Sequence, residues 1–265
     1  MNAPTMLAPS SVSPETTLLP AYLPVPGMGV LPVNAFVIGG ESPVLVDTGL
    51  AALRSEFMAA LRSTVDLEAL AWVWLTHVDP DHAGNLAAVL AEAPRARVVT
   101  TFLGMGKMGL HGFPLDRVYL LNPGQALELG DRSLTALTPP SFDAPETTGL
   151  FDSQTKALFS SDCFGALLDE PAVDAADVGA RALREGSISW GAIDAPWLAN
   201  VEARAFADSV DALRRFAPRV VLGSHLPPAR GMLEDLVGHL ASVRSAPRFV
   251  GPDQAALERM MTAAA

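Results

Sequence analysis

Apolar and polar residues recur along this chain with two different periods, and strand-like and helix-like stretches alternate. Asn34–Ile38 and Val44–Asp47 are short β-branched runs on either side of Gly39-Gly40-Glu41-Ser42, the pattern of a β-hairpin. Ala52–Ser63 follows, with Leu53, Phe57, Ala60 and Leu61 on one helical stripe. Ala71–Thr76 is a continuous apolar run, as expected of a strand covered on both faces. After a loop containing Pro80, the Ala/Leu-rich stretch Ala83–Ala93 predicts a helix, and Arg97–Thr100 predicts another strand. Val118–Leu121, Ser133–Thr138, Gly149–Asp152 and Ala157–Ser161 are short runs parted by turn residues, which predicts a meander of strands. Asn200–Phe216 returns to the helical period through Val201, Phe206, Val210, Leu213 and Phe216. Val220–Leu222 then predicts a strand and Met232–Val243 a last helix, whereas Asp169–Gly191 has little pattern and reads as a long loop with one helical turn.

Neither an internal repeat nor a linker-like break interrupts this order, so one domain is expected over residues 23–245. Residues 1–22, rich in Ala, Pro and Ser, read as a flexible N-terminal tail. Residues 246–265 read as a C-terminal extension, with MTAAA fraying at its end. The N-terminal stretch carries no Lys or Arg ahead of its apolar residues, unlike a signal peptide. No run approaches the roughly 20 apolar residues that a spanning helix needs. A cytoplasmic protein with no membrane partner is therefore expected.

Composition narrows the function. With 265 residues and 49% hydrophobic content the chain has ample material for a core and is no disordered segment. Its 18 Lys+Arg against 29 Asp+Glu leave a net charge of −11, which repels phosphate backbones and argues against a nucleic-acid partner. The lone Cys163 has no partner within the chain for a disulfide, and a single cysteine is more often a small buried hydrophobe than a nucleophile.

Chemistry concentrates directly after the apolar strand, in Thr76-His-Val-Asp-Pro-Asp-His-Ala-Gly-Asn85. His77, Asp79, Asp81 and His82 occupy positions i, i+2, i+4 and i+5. An extended backbone sends i and i+2 to one side, and a turn into the next helix redirects i+4 and i+5 to a second point. Such a loop can offer two ligands to each of two metal ions, because imidazole and carboxylate both present lone pairs at neutral pH. The competing reading makes Asp81 a helix cap and leaves the histidines exposed.

The run resembles the signature loop of the metallo-β-lactamase superfamily, His-x-His-x-Asp-His. With an acid third and Pro-Asp-His-Ala-Gly following, it is most similar to the di-iron domain of flavodiiron proteins. Four further segments match in order: Val44–Gly49, a strand ending in Asp47; Asp143-Ala-Pro-Glu-Thr147; Leu158–Gly165, around Asp162; and Gly223-Ser224-His225. The resemblance covers residues 30–230. It implies a four-layered αββα sandwich, two mixed β-sheets face to face with helices outside, and a site where strand ends meet. It also implies one metal held by His77, Asp79 and Asp143, a second held by Asp81, His82 and His225, and Asp162 bridging both. Two positions depart from the family pattern. Asp79 stands where Glu is usual, and Asp143 stands where His is usual, which adds negative charge and hardness.

Three imidazoles and four carboxylates without thiolate suit iron or manganese better than zinc, although zinc can load by availability. Asp47 reads either as a residue orienting a ligating histidine or as a turn-forming Asp before Gly49. The resemblance implies binding or reduction of O2 or NO at a di-iron centre. The chain ends soon after the last motif, so no FMN is expected in it, and either a separate electron-transfer protein or an oxygen-sensing role is implied. A metal-hydroxide hydrolase of an ester, amide or phosphoester is the alternative, and a metal-binding module without turnover is the second. A homodimer is left open.

Other signals are set aside. Gly104-Met-Gly-Lys-Met-Gly109 matches a dinucleotide fingerprint, but Gly112 and Pro114 interrupt the helix it would need. His111 and His239 lie outside the matched segments, and Trp190 and Trp197 either wall the pocket or pack in the core. If the four site aspartates converge, they repel one another without cations, so the fold is expected to depend on metal.

Overall fold

The computed structural model describes residues 3–263. Its larger sheet contains β1 (Thr5–Met6), β2 (Ser10–Ser13), β3 (Thr16–Val25), β4 (Gly29–Ile38), β5 (Val44–Val46), β6 (Trp72–Trp74), β7 (Arg97–Thr100) and β8 (Val118–Leu120). The strand order is β1-β3-β4-β5-β6-β7-β8, with β2 also pairing with β3. β3 to β5 are antiparallel neighbours, and β5 to β8 run parallel. The smaller sheet holds β9 (Ala126–Glu128), β10 (Ser133–Leu137), β11 (Gly149–Asp152), β12 (Ala157–Ser161), β13 (Val220–Gly223) and β14 (Ala229–Arg230), in the order β14-β13-β12-β11-β10-β9.

Side-chain alternation builds the layers. In β4 and β5, Phe36, Ile38, Val44 and Val46 face one way and meet Leu134, Leu150 and Phe159 of the smaller sheet. Their neighbours Ala35, Val37 and Leu45 face the other way, onto helices α1 (Arg54–Thr64) and α3 (Leu86–Glu92). Strands buried on both faces need no polar alternation, which is why Val73, Trp74 and Leu75 follow one another without a polar residue. On the far side, Leu158 and Val221 carry α5 (Ala180–Asp194), α6 (Ala203–Arg214) and α7 (Leu233–Val243). Burial of Phe206, Val210 and Leu213 on the inner face of α6 contributes about 1.5–3 kcal/mol each. The result is the expected αββα sandwich of two mixed sheets. The chain also holds α2 (Pro80–Ala83), α4 (Phe102–Leu110) and α8 (Gln254–Ala263).

Several elements differ from the sequence reading. Residues 1–22 contain β1, β2 and most of β3 rather than a loose tail, because Leu18, Leu19, Ala21 and Tyr22 are buried on β4. The expected helix at Ala83–Ala93 is two helices, α2 and α3, parted at Gly84 and Asn85. Asp169–Gly191 is no long loop. Ala180 onward forms the 15-residue α5, whose buried face is Leu183, Gly186, Ser187 and Gly191 and so has no apolar periodicity to read. An alanine Cβ at Gly186 would stand 2.0 Å from the Leu167 carbonyl oxygen, so the small face sets how closely α5 approaches. Of the MTAAA end, residues 261–263 continue α8, and residues 264 and 265 lie outside the described range. Among the described residues no helix is long and apolar enough to cross a membrane.

Candidate metal centre

The centre forms where β6, β12 and β13 end. After β6 the chain passes through Thr76, whose backbone N–H donates to Asp47 Oδ1 at 2.8 Å, and delivers His77 into the gap between the sheets. α2 starts at Pro80 with Asp79 in the cap position but without a side-chain cap bond, so neither Asp79 nor Asp81 is spent as a cap. A bulge between Phe159 and Ser161 in β12 turns the strand end and exposes Asp162 to the gap. Three of the five described non-glycine residues with positive φ border the site, namely Asp47, Ser161 and Phe164. Such strained backbone persists only where the surroundings hold it.

All seven candidate ligands come together. His77, Asp79 and Asp143 form one group and Asp81, His82 and His225 another, with the donor atoms of each group within 4.8 Å of one another. Asp162 lies between the groups. Its Oδ2 is 3.5 Å from His77 Nε2, while its Oδ1 is 3.1 Å from His82 Nε2 and 3.3 Å from His225 Nε2. Asp81 Oδ2 is 3.4 Å from His225 Nε2 and 3.6 Å from His82 Nε2. The three histidines and Asp162 form a buried floor, and Asp79, Asp81 and Asp143 stand on a more open rim. His77 Nε2, His82 Nε2 and Asp162 Oδ1 are fully buried and make no hydrogen bond. Buried polar atoms are rarely left so, and these converge on one space.

The far nitrogens of the histidines are fixed. His82 Nδ1 lies 2.9 Å from Asp47 Oδ2, which also accepts from the Thr76 hydroxyl at 2.8 Å. His225 Nδ1 donates to the Pro32 carbonyl at 2.6 Å. His77 Nδ1 meets the hydroxyls of Thr76 and Ser161, each at 3.2 Å. With Nδ1–H donated outward, the neutral forms of His82 and His225 turn a lone pair inward at Nε2. Asp47 thus orients a histidine, as one of its two sequence readings had it. Trp190 and Trp197 also border the site. Trp190 packs 4.6 Å from the His225 ring and donates to the Asp162 carbonyl at 3.1 Å. Trp197 donates to the Phe142 carbonyl at 2.7 Å, beside Asp143.

Charge is unevenly balanced. Burial works to raise the Asp162 carboxyl, but the imidazoles of His82, His77 and His225 together hold it well below the usual carboxylate range. Burial works to lower the two histidines. Asp162 and Asp81 outweigh it, raising His82 well above its ordinary value and His225 to about 9. Burial, with Asp162 and Asp79 nearby, raises Asp143.

Sequence reasoning missed two residues here, Asp194 and Lys107. Asp194, the last residue of α5, has a carboxylate oxygen within 4.8 Å of Asp143 and Asp162, and burial and those two acids push it up to about 8. Lys107 Nζ lies 2.8 Å from Asp79 Oδ1 and 2.7 Å from Oε1 of the buried Glu146. Nothing local marks Asp194, whereas Lys107 sits inside the glycine run first weighed as a nucleotide motif. That run is α4, a helix capped by the Thr101 hydroxyl, so it forms no phosphate loop. Cys163 is buried and its thiol is pushed up to about 12, chiefly by burial, so it is inert at neutral pH. His111 is exposed and His239 lies on α7, both outside the cluster.

Fold and site geometry together define a metallo-β-lactamase-type sandwich with a cluster suited to two metal ions. A sequence profile described as ODP family beta lactamase matches residues 31–183, more than half of the chain, and the protein belongs to that family. The anaerobic nitric oxide reductase flavorubredoxin of Pectobacterium atrosepticum is 28% identical over 134 residues, spanning 50% of this chain and 26% of that protein. Rubredoxin oxygen:oxidoreductase from Desulfovibrio gigas superposes with a TM-score of 0.79 at 20% identity, covering 89% of this chain and 61% of that one. A flavo di-iron protein variant from Thermotoga maritima gives a TM-score of 0.79 at 19% identity over 92% of this chain and 63% of its own. The chain therefore spans about a quarter of that curated relative and three-fifths of these structural neighbours.

Proposed function

We propose that this chain holds two metal ions, iron in the cell, and uses them to bind or reduce O2 or NO with electrons from a separate cytoplasmic donor protein. His77, Asp79 and Asp143 would hold one ion and Asp81, His82 and His225 the other, with Asp162 placed between the two groups. The observation that carries this reading is the convergence of three buried, hydrogen-bond-free donor atoms, His77 Nε2, His82 Nε2 and Asp162 Oδ1, on one space. Neutral imidazole and carboxylate without thiolate are donors for iron or manganese. The names of the relatives supply the substrates, since one is called a nitric oxide reductase and another an oxygen:oxidoreductase.

When bound, a di-iron centre would supply one-electron redox chemistry for a diatomic molecule. The chain's own residues prepare the rest. Asp47, Pro32 and Ser161 fix the imidazole orientations, Trp190 covers His225 on the α5 side, and the open rim admits a small molecule beside Asp143. Carboxylates on the rim lessen Lewis acidity by donating charge, which works against hydrolysis.

The test is to produce the protein in iron-supplemented medium, measure metal per chain, and follow the visible spectrum through anaerobic reduction and exposure to O2 or NO. Two irons per chain and a spectrum that changes reversibly are expected. Colourless, zinc-loaded protein that hydrolyses generic esters and ignores O2 and NO would refute the proposal.

A further inference from the structure

The geometry points to Lys107 as a positioning residue that clamps the two loops carrying the rim ligands, so that the metal position at His77, Asp79 and Asp143 depends on it. This rests on the dinuclear reading above. Asp79 belongs to the loop after β6 in the larger sheet, and Glu146 belongs to the Asp143–Thr147 segment between strands of the smaller one. The Lys107 ammonium reaches both, at 2.8 Å from Asp79 Oδ1 and 2.7 Å from Glu146 Oε1. Glu146 is only 3% exposed, so the contact to it is largely shielded from solvent.

Charge explains why a cation belongs there. Asp79 and Asp143 group with His77, Asp143 groups in turn with Asp162 and Asp194, and Glu146 meets Asp79 across the Lys107 ammonium. Among the described residues, Lys107 is the one lysine or arginine that pairs with any of them. The ammonium offsets like-charge repulsion that would otherwise splay the rim. The helix is shaped for this placement. Gly104 lies one turn before Lys107, and an added Cβ would stand 2.1 Å from the Thr100 hydroxyl oxygen, so glycine lets α4 settle against the end of β7. The Thr101 cap hydroxyl also donates to the Glu146 backbone carbonyl, at 3.4 Å. The glycine run thus sets the distance between α4 and the rim, with Lys107 on the facing side.

The experiment titrates metal-free, full-length protein with Mn(II) under anaerobic conditions. Calorimetry gives stoichiometry and affinity, and electron paramagnetic resonance gives the spin-coupled signal of a Mn pair. Wild type is expected to take up two ions and show coupling. Lys107→Met should keep the first equivalent at wild-type affinity, weaken the second roughly 10–100-fold, and lose the coupled signal, the range seen when groups behind metal ligands are removed. Glu146→Gln, which removes one anchor of the ammonium and leaves the lysine, should weaken the same equivalent by less. A general loss of folding would lower both equivalents together, and that result in both variants would overturn the assignment. So would two unchanged equivalents in Lys107→Met, or a second equivalent that tightens, which would make Lys107 a competitor for Asp79. A wild-type chain that takes up one ion overturns the dinuclear reading itself, and this inference with it.

Discussion

Replacing Asp47 by Asn tests how the site controls its own protons. The carboxylate is buried and accepts from Thr76 N–H through Oδ1, and from the Thr76 hydroxyl and His82 Nδ1 through Oδ2. Asn keeps the shape and tolerates the local φ of 59°. It cannot accept at both ends, however, because one oxygen becomes an NH2 donor. If the amide nitrogen faces Thr76, it meets a backbone N–H. If it faces His82, that histidine escapes only by moving its proton to Nε2, the atom aimed at the metal position. Either arrangement gives up the buried hydrogen-bond pattern the carboxylate makes, costing about 1–3 kcal/mol of stability. The second also removes a ligand lone pair, and losses of this kind lower metal affinity about 10–100-fold. Thermal melts of metal-free protein and Mn(II) titration of Asp47→Asn give the two numbers. A variant with unchanged melting temperature and unchanged affinity would show that Asp47 is only a turn residue.

Two further outcomes follow from the packing and charges. Gly186→Ala should destabilise by about 1–3 kcal/mol despite alanine's better helix propensity, because its Cβ would meet the Leu167 carbonyl at 2.0 Å. Gly238→Ala in α7, with nothing within 4 Å, should stabilise by roughly 0.5–1 kcal/mol, and denaturant melts giving the same sign for both would refute the packing argument. For the metal-free protein, His225 is raised to about 9, so its contribution is complete below the ordinary histidine value and is lost as pH rises through about 9. Asp194 is raised to about 8, so stability also falls as pH rises from the ordinary aspartate value towards that point, where the unfolded chain is ionised and the native one is not. Melting temperature should therefore fall between neutral pH and about 9 while metal affinity rises, since uptake displaces the His225 proton. A flat or rising melting temperature would contradict both assignments.

The candidate centre was legible where its residues are neighbours in sequence. His77, Asp79, Asp81 and His82 fall within six positions, and their spacing already divides them between two points. Asp162 and His225 were reachable only through resemblance, because the strand ends that aim them come from another sheet. Asp194 carried no signal, and the glycine run around Lys107 pointed to a nucleotide instead, since each residue closes on the site by tertiary packing alone. For the fold, alternating or continuous apolar runs marked the strands and large apolar side chains marked α1, α6 and α7. α5 was missed because its buried face is built from glycine and serine, and Tyr22 and its neighbours were missed because prolines masked a strand pattern.

The chain passes from the larger sheet to the smaller between Leu120 and Ala126, and that crossing divides the candidate ligands. His77, Asp79, Asp81 and His82 precede it; Asp143, Asp162 and His225 follow it. Neither half presents a complete coordination set, and Pro32 of the first half holds His225 of the second. Ions held as proposed would draw donors from both halves and so act as rivets across the interface between them. Losing them would then act first on the seam between the sheets, where the donors of the two halves meet.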